Sequence, residues 1–253
     1  MGKLTPTSPA DRERAIELMA EAFHSPDEQT ASRLAQEALK TDPNNADIYV
    51  YLGNESESPE EAMDWYQKGV EVGKALIEDR MDQLAGHMWM EPEARPYLRA
   101  LYALADFNGF QGEIDKAIGM FEELLKLNPM DNQGARYDLL QLYFQQDQIE
   151  DATRLMKQFE DDQSADWKYG AAILSYLNAP EDSGTAGAWK EAVAFNPHVL
   201  GFLTGEKEPP AGLPMDYAPG SEEEAVLYVA RIFPLLLSKP MILRFFLDDL
   251  GVN

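Results

Sequence analysis

The sequence contains no cysteine. Disulfides, iron–sulfur clusters and thiol nucleophiles are therefore excluded, and a reducing compartment is compatible. Basic residues are scarce: 21 Lys and Arg stand against 45 Asp and Glu, a formal net charge of -24. Such a chain repels phosphate, so nucleic acid and anionic membrane are poor partners for it. An acidic surface favours solubility, and it also suits a basic protein partner. Long hydrophobic runs are absent. The most apolar stretch, Ile232 to Leu247, is broken by Pro234, Lys239, Pro240 and Arg244 and is too short to span a bilayer. The N-terminal run MGKLTPTSPADRE has no apolar core and does not read as a secretory signal. These absences point to a cytoplasmic protein. No stretch alternates apolar and polar residues as a strand would. No nucleophile–base order, glycine-rich phosphate loop or paired-carboxylate motif stands out, so no catalytic residue and no cofactor is assigned.

What is present is a repeat. Pro43, Pro129 and Pro197 each follow an Asp or Asn, and the last two are 68 residues apart, or two units of about 34. The interval from Pro43 to Pro129 is 18 residues longer. Each proline closes a pair of amphipathic segments. Leu18 precedes Ala31, Ala35 and Ala38; Leu101, Leu104 and Ala105 precede Ala117, Phe121 and Leu124; Tyr169, Ala172, Ile173 and Tyr176 precede Trp189 and Ala192. Two further pairs lack the proline, Tyr49 to Gly69 and Leu139 to Phe159. Apolar residues at helical spacing give each helix one stripe to bury, and small residues let helix axes approach. A proline cannot continue a helix, and it drives the residue before it out of the α region. No single pair buries its own faces, so pairs stack. The sequence thus predicts an all-α, right-handed superhelical solenoid of about five tetratricopeptide-like helix pairs with a C-terminal helical cap.

The expected organisation is a tail over 1–11, repeats over 12–203, a loop over 204–220 and capping helices over 221–253. The extra residues form an insertion at about 70–92. Ser221 and Glu224 make a capping-box spacing for a helix to about Phe233, and a second helix starts near Pro240. Phe233, Leu236, Leu243, Phe246 and Leu247 are expected to be largely buried, against the fifth pair or a second subunit.

Three runs carry a likeness to a known family: Ala94-Arg95-Pro96-Tyr97-Leu98-Arg99-Ala100, then Leu127-Asn128-Pro129-Met130-Asp131-Asn132-Gln133-Gly134-Ala135-Arg136-Tyr137, then Ala192-Val193-Ala194-Phe195-Asn196-Pro197-His198-Val199 with Gly220-Ser221-Glu222 beyond it. On these the chain resembles bacterial tetratricopeptide-type proteins related to the suppressor of tumorigenicity 7 family. The resemblance implies a helical-repeat scaffold without an established enzymatic activity, and it supplies no catalytic residues.

The candidate ligand site is a cluster of Arg95, Arg99 and Arg136 with Tyr102, Tyr137, Asn132 and Gln133, beside Trp89 of the insertion. An Arg fork recognises a carboxylate bidentately, and Tyr adds apolar area with a polar tip. The same Arg residues could instead pair with acids such as Asp106, Asp131 or Asp138 and hold repeats in register. His87 and Glu91 share the i, i+4 spacing of metal ligands but lack a third, so no metal is assigned. The reading is a non-enzymatic scaffold whose groove takes a protein or peptide, with a carboxylate flanked by basic residues. The alternatives are an enzyme or enzyme accessory domain with a groove site near Trp89 and Arg136, and a self-assembling module that dimerises through the C-terminal helices.

Overall fold

The computed structural model describes residues 4–248, with the side chain of Asp248 left out. Among these residues there is helix and no strand. Helices α1 (Pro9–Phe23) and α2 (Glu28–Thr41) pack together, as do α3 (Ala46–Asn54) and α4 (Pro59–Ile77). The insertion follows as a string of short turns: a 3-10 turn at Glu78–Arg80, α5 (Met81–Leu84), and 3-10 turns at Met88–Met90 and Pro92–Ala94. Next come α6 (Arg95–Phe110) and α7 (Ile114–Leu127), then α8 (Ala135–Gln145) and α9 (Ile149–Gln158), then α10 (Ala165–Asn178) and α11 (Ser183–Phe195). A short α12 (His198–Leu203) precedes α13 (Glu222–Ser238) and α14 (Pro240–Asp248). The fold class is the expected one, an all-α array of helix pairs. The chain divides into two compact units, one up to Ala135 and one from Arg136 onward.

The proline junctions share one geometry. Asp42, Asn128 and Asn196 close α2, α7 and α11 with φ of -135, -136 and -138° and ψ of 88, 77 and 86°. The following proline excludes the α region for each of them. All three are buried, and at two of them a side-chain oxygen accepts from the amide two residues on. Asp42 Oδ1 accepts from the Asn44 amide and Asn196 Oδ1 from the His198 amide, both at 3.2 Å. A tyrosine hydroxyl donates to a carbonyl at two of these junctions, Tyr49 to Pro43 and Tyr169 to Asn196, each at 2.8 Å.

Small residues mark the close approaches in the first unit. A Cβ on Gly73 of α4 would lie 2.8 Å from the Tyr97 Cα in α6 and 3.2 Å from the Ala46 Cβ in α3. The glycine is what lets α4 lie against both neighbours. In the second unit an aromatic cluster forms the core: Trp189 stacks on Phe246 at 4.7 Å, Tyr169 on Tyr228 at 5.2 Å and Tyr176 on Phe245 at 4.4 Å.

Three features of α13 and α14 differ from the sequence reading. Helix α13 runs through Pro234 instead of ending before it. Proline removes one N–H and frees the carbonyl of Ala230, but both residues lie on the exposed side, where water can take that carbonyl. The capping box is half formed: the Glu224 amide donates to Ser221 Oγ at 3.2 Å, while the Glu224 side chain turns inward. Its carboxylate accepts from the amides of Ala165 at 3.0 Å and Gly220 at 2.7 Å and from Asn196 Nδ2 at 3.1 Å. Of the expected apolar cap residues, Leu236 and Phe246 are buried and Leu243 and Leu247 half-buried, but Phe233 is 55% exposed. Phe233 lines an open cavity between α12, α13 and α14, and so stays accessible. No single helix among the described residues is long and apolar enough to cross a membrane; α13 and α14 reach that composition only as a pair bent by 119°.

Candidate functional site

In the first unit α6 carries Arg95, Arg99 and Tyr102 at spacings of four and three, which put them along one side of the helix. The Arg95 Nε donates to the Trp89 carbonyl at 2.9 Å, and its guanidinium lies 5.3 Å from the Trp89 ring centroid. The insertion is thereby fastened to the start of α6. Arg99 meets Asp47, in the first turn of α3, as a fork: Nε and Nη2 donate to the two carboxylate oxygens at 2.7 and 2.6 Å. Both side chains remain accessible, 42% for Arg99 and 37% for Asp47. Tyr102 is half-buried against the edge of Phe121, 5.4 Å between centroids. Gln133 Nε2 donates to the Leu98 carbonyl at 3.3 Å, so the segment after α7 also returns to α6. Asn132, beside it, is exposed.

Arg136 and Tyr137 belong to the second unit. Arg136 Nε donates to Asp162 Oδ2 at 2.8 Å, and Tyr137 donates to the same oxygen at 3.1 Å. The Ser164 amide donates to the other oxygen, Oδ1, at 2.8 Å. Rings surround the guanidinium, with centroids 4.2 Å away for Tyr137, 5.1 Å for Phe159 and 5.8 Å for Trp167. Burial pushes the Asp162 carboxyl upward, but the Ser164 contacts and Arg136 outweigh it, and its pKa falls below the ordinary value. Burial raises the Tyr137 phenol well above its ordinary range, with Arg136 opposing and Asp162 reinforcing the shift.

A second ionic cluster in this unit escapes sequence reasoning. Arg231 of α13 lies 5.2 Å over the Tyr137 ring from its guanidinium carbon. Its Nε donates to Asp138 at 3.1 Å, and its Nη1 lies 2.8 and 2.9 Å from the Asp166 oxygens. Burial is the largest influence on Asp166 and raises its pKa to about 6, although Arg231 opposes it. The available signal was Arg231, a single charged residue inside an otherwise apolar helical run; Asp166, with Lys168 two residues on, carried no such mark.

The structure thus brings Arg95 to Trp89 and Gln133 to the backbone of α6. It gives Arg99 and Arg136 carboxylate partners, Asp47 and Asp162, that the sequence reading had not named. Among the described residues no group of three or more His, Asp or Glu is placed to hold a metal ion. None of the curated proteins compared with the chain matches it. Residues 111–174 match a family model described as Tetratricopeptide repeat, which supports a tetratricopeptide-repeat protein and covers α7, α8, α9 and most of α10.

Proposed function

We propose that the chain is a helical-repeat scaffold that binds a protein or peptide partner along α6, and that it carries out no reaction of its own. Helical repeats present extended surfaces, which suit recognition of chain segments. The finer likeness to the suppressor of tumorigenicity 7 family rests on the sequence runs quoted above and points the same way.

One observation carries the reading: the Arg99 fork is occupied by a carboxylate that is itself exposed. An exposed ion pair is worth about 0–1 kcal/mol, so an incoming carboxylate can displace Asp47 at small cost. Trp89, Arg95, Tyr102, Asn132 and Gln133 would form the rest of this surface, with Trp89 and Tyr102 giving apolar area. The surrounding acids would favour basic residues on either side of the ligand's carboxylate. Arg136 and Tyr137 are not assigned to this surface, because Asp162 and three rings already enclose the guanidinium.

The test is fluorescence anisotropy with a short labelled peptide carrying one Glu between Lys residues, against its Gln counterpart. The Glu peptide should bind more tightly, Arg99→Gln should erase that preference, and Asp47→Asn should tighten binding. Equal affinity for both peptides in the wild-type chain, or a preference that survives Arg99→Gln, overturns the proposal.

A further inference from the structure

We propose that the second unit holds a separate docking groove for a basic amphipathic helix. The groove has a volume of about 450 Å³ and is walled by α12, by the proline-rich segment around Pro209 and Pro210, and by α13 and α14. Its lining is apolar throughout and includes Phe202, Leu213, Val229, Phe233, Leu237 and Leu243. Phe233, Leu213 and Leu237 are 55, 64 and 67% exposed. A single exposed apolar side chain needs no explanation, whereas a contiguous set of them marks an interaction surface.

The shape argues for a helix. On α13 the lining residues include Val226, Val229, Ala230, Phe233 and Leu237, the i, i+3, i+4, i+7, i+11 series of one helical face, with Leu236 at its edge. At about 1.5 Å per residue that stripe is about 17 Å long, roughly three turns. A face of this kind is built to receive the apolar stripe of another helix.

The charges around it select the occupant. Glu222 and Glu223 sit one turn before Val226 and continue the stripe at the N-terminal end of α13. Glu206 and Glu208 flank the wall at Pro209. On that wall Lys207 is already bound to Glu222 and lies 2.9 Å from His198 Nδ1; at the other end Lys239 is held by Asp147, and Arg244 follows Leu243 on α14. With Glu222 neutralised by Lys207, Glu206, Glu208 and Glu223 remain in excess, and a second copy of this chain would bring the same three against them. A fatty-acid headgroup or an anionic membrane would meet the same repulsion. A helix with leucines on one face and lysines beside them satisfies both groove and rim.

The test uses a fluorescein-labelled Leu/Lys peptide with Leu at i, i+3, i+4 and i+7, a scrambled peptide of the same composition, and a Leu/Glu peptide with the same leucine pattern. The patterned Leu/Lys peptide should bind one-to-one and saturably at physiological salt, while the other two bind at least about tenfold more weakly. Leu237→Gln and Phe233→Gln alter exposed side chains, so the fold should persist, as circular dichroism would verify. Each should cost about tenfold in affinity. Ala230→Trp, which fills the groove, should cost more, and Arg99→Gln should leave this binding unchanged, separating it from the α6 surface. Equal binding of the scrambled peptide would reduce the effect to net charge and overturn the proposal. So would affinity that survives all three groove variants, a concentration-dependent dimer that those variants abolish, or variant-sensitive sedimentation with phosphatidylglycerol vesicles.

Discussion

Arg231 Nη1 lies 2.8 and 2.9 Å from the two carboxylate oxygens of Asp166, a residue 65 positions earlier in the chain. The pair joins α13 to the start of α10, and burial keeps the Asp166 pKa raised to about 6 in spite of the guanidinium. The native chain therefore binds this proton more tightly than the unfolded chain does. The stability linked to this group is greatest at low pH and is lost as pH rises through about 6. From about pH 5 to about pH 7.5 the loss is on the order of 1 kcal/mol, given a shift from 3.8 to about 6. Asp166→Asn should flatten the pH dependence of urea-unfolding stability across that window. An unchanged slope would refute the assignment. Asp162, displaced downward, acts on the acid side instead: its contribution is present above its ordinary value near 3.8 and lost below it.

Arg99 and Arg136 should differ in what they contribute to stability. Arg99→Ala removes an exposed pair and should cost no more than about 1 kcal/mol. Arg136→Ala strips the partner from Asp162, whose side chain is 8% exposed, and empties a ring of three aromatics; about 3 kcal/mol is expected. Chemical denaturation of the two variants checks the order, and comparable losses would contradict it. Asp162→Asn in the Arg136→Ala background should recover part of the loss, since no uncompensated charge then remains.

Two glycines give opposite expectations. Gly73→Ala forces a methyl group to within 2.8 Å of the Tyr97 backbone and should destabilise the first unit. Gly119, in the middle of α7, has nothing within 4 Å of where its Cβ would stand. Gly119→Ala should stabilise by about 0.5–1 kcal/mol, because a helix-interior glycine costs that much relative to alanine. Thermal melts of both variants decide the matter, and a Gly73→Ala protein as stable as the parent would show that α4 and α6 can separate freely.

The helix pairs were legible because their determinants are local. Asp42-Pro43, Asn128-Pro129 and Asn196-Pro197 stop helices by a clash within one dipeptide, and the apolar periodicity around them needs no knowledge of distant residues. The ionic partners were not legible. Asp47 lies 52 positions from Arg99 and Asp162 lies 26 from Arg136, and in a chain with 45 acids every Arg has plausible partners nearby in sequence. Phe233 was misjudged for a related reason. Periodicity shows that α13 has an apolar face, but whether another element covers that face is decided elsewhere in the chain. Glu224 matched a capping-box spacing, yet its carboxylate serves residues 28 and 59 positions away.

That same Glu224 carboxylate makes part of the second unit melt as one piece. It ties the amide that opens α10, the amide of Gly220 and the side chain of Asn196, which closes α11. Unwinding the first turn of α13 releases all three partners at once, so no one of these segments opens at a cost set by its own contacts. In native-state hydrogen exchange the amides of Ala165 and Gly220 should share one opening free energy and one denaturant dependence, although one begins a helix and the other sits in a turn. Turn amides ordinarily exchange early, and here one would be as slow as the helix that it faces.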